Sequence, residues 1–263
     1  MSLRAGMIVP HPPIVIPEIG RDRVIQVQAT VKSMLQVAAD IRSTDADTLV
    51  FISPHSRFSY DTFLLRGGER ARGSLALFGY PNLKNQFEMD EELAVAITDE
   101  CRESGLPAAF GNSNDDVDHG ILVPFYFIGQ KKTYRIVSLS ISGLPLESHY
   151  RFGEAIGRTC ERYKRKIAII ASGDLSHRLT IDAPAGYSPR GADFDKLVCE
   201  IVSRGDLAEL RDLDYALIEA AGECGLRSFV TLGGALKNKN YTAKLLSYEG
   251  PFGVGYMVAE FII

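Results

Sequence analysis

The feature that most restricts the fold is an alternation along the chain. Short runs of β-branched and other apolar residues are separated by longer stretches with helical periodicity. The runs Ala5–Pro10, Thr48–Ser53, Thr62–Leu65, Ala108–Gly111, Arg135–Ser140 and Lys166–Ala171 read as strands. Helices are expected over Asp22–Arg42, Asp90–Ser104, Tyr150–Arg165, Asp193–Ser203, Asp206–Arg211 and Leu226–Lys237. In the third of these, Phe152, Ala155, Ile156 and Cys160 recur at helical spacing with charged residues between them. Strand, helix and strand in turn predict an α/β fold: one domain over 1–263, with helices flanking a central mixed β-sheet. The end of the chain breaks the pattern. Tyr241–Tyr248 and Val254–Ile262, separated by Glu249-Gly250-Pro251-Phe252-Gly253, read as an antiparallel hairpin at a sheet edge. The loop Leu179–Ala192, with Pro184, Gly186, Pro189 and Gly191, has the length of a lid, although an ordinary long loop is the default reading.

Composition excludes several classes of function. Of the 263 residues, 46% are hydrophobic, enough for a sizeable core. A net charge of −4 argues against nucleic-acid binding, which usually needs a basic face. No apolar run approaches bilayer length, and no signal-peptide pattern opens the sequence, so a cytoplasmic protein without membrane association is expected. Cys101, Cys160, Cys199 and Cys224 are scattered, with no CxxC pair, as in a reducing compartment.

The histidines carry the functional signal. His11 follows the run Gly6-Met7-Ile8-Val9-Pro10 and is wedged before Pro12-Pro13; His55 follows Leu49-Val50-Phe51-Ile52-Ser53-Pro54. Proline fixes φ and donates no hydrogen bond, so each strand must stop there and its histidine sits on a stiff loop. His177 lies in Ser172-Gly173-Asp174-Leu175-Ser176-His177, just after another apolar strand; His119, in Asp118-His119-Gly120, precedes an apolar run. Ligand crevices of open α/β sheets lie beyond the strand C-termini, and imidazole suits Zn, Cu, Fe and Ni. A lone histidine after a strand is most simply a hydrogen-bonded loop residue; His119 reads equally as a helix-start or a site residue, and the Ser/Gly/Asp-rich loop around His177 favours a functional role for it. The shared strand-Pro-His form makes His11 and His55 a candidate metal pair. His149 is expected to be a solvent-exposed residue at the start of a surface helix.

Two histidines need a third ligand. Glu223, in Ala220-Ala221-Gly222-Glu223-Cys224-Gly225-Leu226, lies between small residues, where a charge is costly unless paired or metal-bound. It also precedes a helix, so capping is the alternative. Glu219 competes with it, and Cys224 is a possible soft ligand.

The ordered set PHPP, SPHS, DHG, SGDLSH and GECG resembles the class III extradiol ring-cleavage dioxygenases, the LigB-like superfamily, and the Memo-like proteins that share its fold. The PHPP start and Gly222-Glu223-Cys224-Gly225-Leu226-Arg227-Ser228 are similar to the LigB-like domain found beside or fused to AMMECR1 domains. The resemblance runs from His11 to the GECG segment. It implies that His11, His55 and Glu223 hold a non-haem Fe(II), with His177 as acid/base and His119 near substrate or O2. Asp174 and Ser176 would orient their neighbours. Memo-like relatives place a cysteine or third histidine at the site, which leaves Glu223 and Cys224 both open as third ligand.

The activity implied is O2-dependent ring opening of a catechol-like aromatic, with His177 accepting a proton as the catechol binds. The family often forms homo-oligomers, and a small-subunit or AMMECR1-type partner is implied as a possible cover for the site. Two other functions fit the same residues. Zinc on two histidines and a glutamate describes a hydrolase. A Memo-like metal-binding or protein-interaction module would keep the pocket without ring cleavage.

Overall fold

The computed structural model describes residues 2–112 and 115–263. In chain order the strands are β1 (Leu3–Val9), β2 (Thr48–Ser53), β3 (Phe63–Gly67), β4 (Arg70–Leu75) and β5 (Tyr80–Met89). They continue with β6 (Ala108–Asn112), β7 (Arg135–Ser140), β8 (Ile167–Ser172), β9 (Thr242–Glu249) and β10 (Tyr256–Ile262). The helices are α1 (Pro17–Gly20), α2 (Gln28–Ser43), α3 (Glu91–Glu103), α4 (His119–Ile128), α5 (Leu146–Arg162), α6 (Pro189–Arg204), α7 (Tyr215–Ala221) and α8 (Leu226–Ala235).

The described strands form one mixed sheet in the order β4-β5-β7-β2-β8-β1-β10-β9, with β3 paired to β6 and β7. Its centre is parallel: β7, β2, β8 and β1 all run the same way. β1, β2 and β8 are near-continuous apolar runs because helices cover both faces of the sheet. Alternate residues feed two cores. Ile8, Val50, Ile52, Ile169 and Ala171 join α3, α5, α6 and α8. Met7, Leu49, Phe51 and Ile170 join α2 and α4 on the other side. The expected edge hairpin is present: β10 pairs antiparallel with β1 and β9, and β9 is the sheet edge.

Three elements differ from the sequence reading. The β4–β5 hairpin was not expected; β5 is largely exposed and polar, and the buried side of β4 carries only Ala71, Gly73 and Leu75, so the pair offers little apolar signal. The apolar run after His119 is the helix α4, which tolerates Pro124 in its interior and is buried on most sides, leaving little amphipathic signal. The chain before α2 is a 3-10 stretch, Arg21–Val27, rather than part of one long helix.

His149 is a correction. It is 0% exposed, not a surface cap. Helix α5 starts at Leu146, after Pro145, rather than at Tyr150, so His149 falls inside it. There it shares the buried stripe with Phe152, Gly153, Ile156 and Cys160. Its Nε2 accepts the Ser142 N–H at 3.2 Å, its Nδ1 lies 3.1 Å from the Pro145 carbonyl, and its ring stands edge-on to Phe63. Desolvation pulls its pKa down to about 4, although the Pro145 hydrogen bond opposes the shift.

Candidate metal centre

Strand order builds the site. β8 lies between β2 and β1, and all three are parallel, so the loops leaving their C-terminal ends emerge side by side. β2 delivers His55, β8 delivers Ser172 and Asp174, and β1 delivers His11. Helix α4 adds His119 from its first residue.

The Nε2 atoms of His11 and His55 face each other at 3.0 Å. The His119 ring stacks on His55 at 4.2 Å between centroids and stands edge-on to His11 at 5.2 Å. Phe78, at the tip of the β4–β5 hairpin, contacts the other side of His119. His11 is 2% exposed, and its Nδ1 lies 2.9 Å from Ser172 Oγ. A hydrogen on Nδ1, directed at Ser172, leaves the Nε2 lone pair aimed at His55.

A second group of donors also meets His11. The His11 backbone N–H donates to Asp174 Oδ1 at 3.0 Å, and Asp174 Oδ2 lies 3.8 Å from Nε2. Cys224 Sγ lies 3.6 Å from the same Nε2. Asp174 and Cys224 are locked together: the Asp174 N–H donates to Sγ at 3.3 Å, and the Gly225 N–H donates to the Asp174 carbonyl at 3.0 Å. The contact needs two glycines, because a Cβ on Gly173 would lie 2.1 Å from the Gly225 Cα. His11 therefore belongs to two three-residue donor sets, His11–His55–His119 and His11–Asp174–Cys224.

Burial sets the electrostatics. Desolvation depresses His11, His55 and His177, and brings His119 down to about 4, so these imidazoles are neutral at pH 7 with lone pairs available. The same burial pushes Asp174 up to about 7 and Cys224 well above the ordinary thiol range. A buried carboxyl beside neutral imidazoles, with no Lys or Arg in hydrogen-bond reach among the described residues, is an arrangement that a divalent cation would balance.

The other expected residues fall as follows. Glu223 does not join the cluster: its carboxylate accepts the Leu226 N–H at 2.6 Å and caps α8. His177 joins neither donor set, and its Nδ1 is buried without a hydrogen-bond partner. Ser176 is a turn residue: its Oγ donates to the Ala221 carbonyl at 2.9 Å and accepts the Arg178 N–H at 3.0 Å.

Two functional contacts escaped the sequence reading. Ser172 orients His11. Asp118 ties the His55 loop to α4: it accepts Ser53 Oγ at 2.6 Å, Ser56 Oγ at 2.7 Å and the Gly120 N–H at 2.8 Å. Serines flanking His55, and an aspartate at a helix N-cap beside His119, were the available signals. Next to His55 and Asp118 opens a cavity of about 720 Å³, whose walls include Arg57, Phe58, Arg66 and Phe110. It is roomy enough for a substituted aromatic ring.

Comparison with known proteins decides the family. The family model described as the catalytic LigB subunit of aromatic ring-opening dioxygenase matches residues 5–259. The chain belongs to the LigB family. Protein CA_C1420 of Clostridium acetobutylicum is 36% identical over 269 residues, covering 99% of this LigB-family chain and 58% of its own length. The 3,4-dihydroxyphenylacetate 2,3-dioxygenase of Escherichia coli is 28% identical over 171 residues, 61% of this chain and 62% of that protein. A 2,3-dihydroxyphenylpropionate/2,3-dihydroxicinnamic acid 1,2-dioxygenase of Azotobacter vinelandii is 24% identical, over 78% of this chain and 64% of its own. The chain thus spans about three-fifths of the length of these relatives. The crystal structure of uncharacterized protein JW3007 from Escherichia coli K12 superposes with a TM-score of 0.69 at 16% identity, covering 98% of this chain and 99% of that one, and so shares the fold. Among the described residues no helix is long and apolar enough to cross a membrane.

Proposed function

We propose that this LigB-family chain is a non-haem Fe(II)-dependent dioxygenase that opens the ring of a catechol-like aromatic. The observation that carries the reading is the meeting of two donor sets on His11, one with His55 and His119 and one with Asp174 and Cys224, beside a cavity of ring-substrate size. His11 and His55 would hold the metal through Nε2, with the third donor drawn from His119 on one side or from Asp174 and Cys224, neighbours of His11, on the other. When bound, the metal supplies the redox chemistry and open positions for the two catechol oxygens and O2.

The chain's own residues do the rest. The substrate ring lies in the cavity beside His55, against Phe58 and Phe110. His177, neutral at pH 7, accepts a catechol proton and returns it to the product, a contribution typically worth about 10²–10⁴-fold. His119, held between His55 and Phe78, would present a neutral imidazole to the substrate. Ser172 fixes the His11 tautomer, and Asp118 fixes the distance between the His55 loop and α4.

The test is metal analysis of anaerobically purified protein, with oxygen uptake on 3,4-dihydroxyphenylacetate and 2,3-dihydroxyphenylpropionate. About one iron per chain, with uptake and a yellow ring-opened product, supports the proposal. A thiolate donor also suits zinc. Tightly bound zinc with no oxygen uptake after Fe(II) reconstitution would replace the dioxygenase by a zinc hydrolase. No retained metal of either kind would leave a Memo-like interaction module.

A further inference from the structure

A second cavity, of about 670 Å³, shares no lining residue with the one beside His55. Its walls come from the loop before α5, from α7, from Gly222-Glu223 and from the first turn of α8. Three arginines line it. Arg211 is engaged, lying 3.6 Å from Glu147 and over the Tyr150 ring. Arg178 and Arg227 are not: among the described residues neither is in an ion pair, and the Nε of each is shielded from solvent without a hydrogen-bond partner. A shielded guanidinium N–H left unpaired is costly, and the guanidinium presents its donors as a planar fork.

The acidic groups do not fill that deficit. Glu147 pairs with Arg211, while Glu219 and Glu223, the latter capping α8 and within reach of the Arg227 charge, form no ion pair with Arg178 or Arg227 among the described residues. Leu144, Pro145 and Ile218 make the remaining wall apolar. A planar carboxylate matches the fork of an arginine bidentately, and an apolar wall beside it takes a carbon skeleton rather than a bare inorganic ion.

We propose that this cavity is a binding site for a small organic acid, its carboxylate on Arg178 and Arg227 and its carbon body against Leu144, Pro145 and Ile218. The site has a built-in route to the metal centre. Arg178 follows His177 and Glu223 precedes Cys224, so the cavity walls are the backs of the two segments that carry those side chains. An occupant steadies both segments. That consequence, unlike the binding itself, rests on the function proposed above.

Binding is therefore tested without any activity assay. Calorimetry at low ionic strength on the intact chain uses succinate, benzoate and inorganic phosphate as probes. Saturable, sub-millimolar binding of one carboxylate is expected, with phosphate at least about tenfold weaker. Arg178→Met and Arg227→Met should each weaken it about tenfold or more, and Arg227→Lys should lose most of it, because a point charge does not replace the fork. Arg66→Met, in the other cavity, should leave it unchanged. Thermal unfolding of each variant confirms that it is folded. The proposal is overturned if neither carboxylate saturates up to about 10 mM, if phosphate binds as tightly, or if Arg66→Met abolishes binding while the other two do not. A failed dioxygenase assay with intact carboxylate binding would sink the function and spare this site.

Discussion

Substituting His149 by glutamine should flatten part of the acid limb of the stability curve. The imidazole is fully buried, stands edge-on to Phe63, and accepts the Ser142 N–H through Nε2. A proton on Nε2 would set two donors against each other in a desolvated pocket, with Arg227 adding a small repulsion. The folded pKa, about 4, lies below the unfolded value of about 6.5. The folded state thus binds fewer protons, so this group's contribution is complete above the unfolded pKa and is lost as pH falls towards the folded one. Integration between the two values gives a loss of about 2 kcal/mol by pH 5 and about 3 kcal/mol by pH 4. Glutamine keeps an acceptor for Ser142 and does not titrate. Urea unfolding of wild type and His149→Gln from pH 7 to pH 4 measures the difference directly. The other histidines are depressed too, but they are common to both proteins and cancel. The variant should be less stable at pH 7, where it packs less well, and should close the gap as pH falls. Parallel stability curves would refute the argument. The consequence reaches function because His149 holds Ser142 and Pro145, and Pro145 lines the arginine-containing cavity.

Three further outcomes follow from the site. Cys224→Ser should lower metal retention at least about tenfold, whereas Glu223→Ala should keep the metal and lose about 1 kcal/mol of stability with the α8 cap; elemental analysis and urea melts separate the two, and the reverse pattern would restore Glu223 as ligand. Ser172→Ala frees the His11 ring and should weaken metal affinity about 10- to 100-fold with little change in melting temperature, read by competition with a chelator. Gly173→Ala forces its Cβ onto Gly225 and should cost about 1–3 kcal/mol while abolishing metal binding, since Asp174 and Cys224 can no longer close on His11; unaltered metal content would show that the two segments need not meet.

Much of the fold was legible because a sheet covered on both faces leaves continuous apolar strands. β1, β2, β7 and β8 lie within a residue or two of their expected limits. The stripe Phe152–Cys160 is buried as its spacing required. What failed was where the apolar signal is weak or uniform. β5 is largely solvated, the buried side of β4 has only small residues before Leu75, and α4 is nearly all buried, so none offers the strong apolar periodicity that a sequence reading detects. His149 failed through a boundary: shifting the start of α5 by one turn, from Tyr150 to Leu146, moves that residue from the surface to the core.

The site was legible as far as backbone register reaches. His11 and His55 share the strand-Pro-His form, and parallel neighbours on either side of β8 must deliver those loops to one place. Glu223 and Cys224 could not be separated the same way. They are consecutive in one turn, so any map of segments brings both to the cleft at once. The choice between them depends on a tertiary contact: the Gly173 backbone against Gly225, with the Asp174 N–H donating to Sγ. That contact turns the sulfur towards His11 and leaves the carboxylate to the orphan N–H of α8. A helix start just past a tight turn supplies its own reason for a glutamate, and the neighbouring thiol is left to face His11.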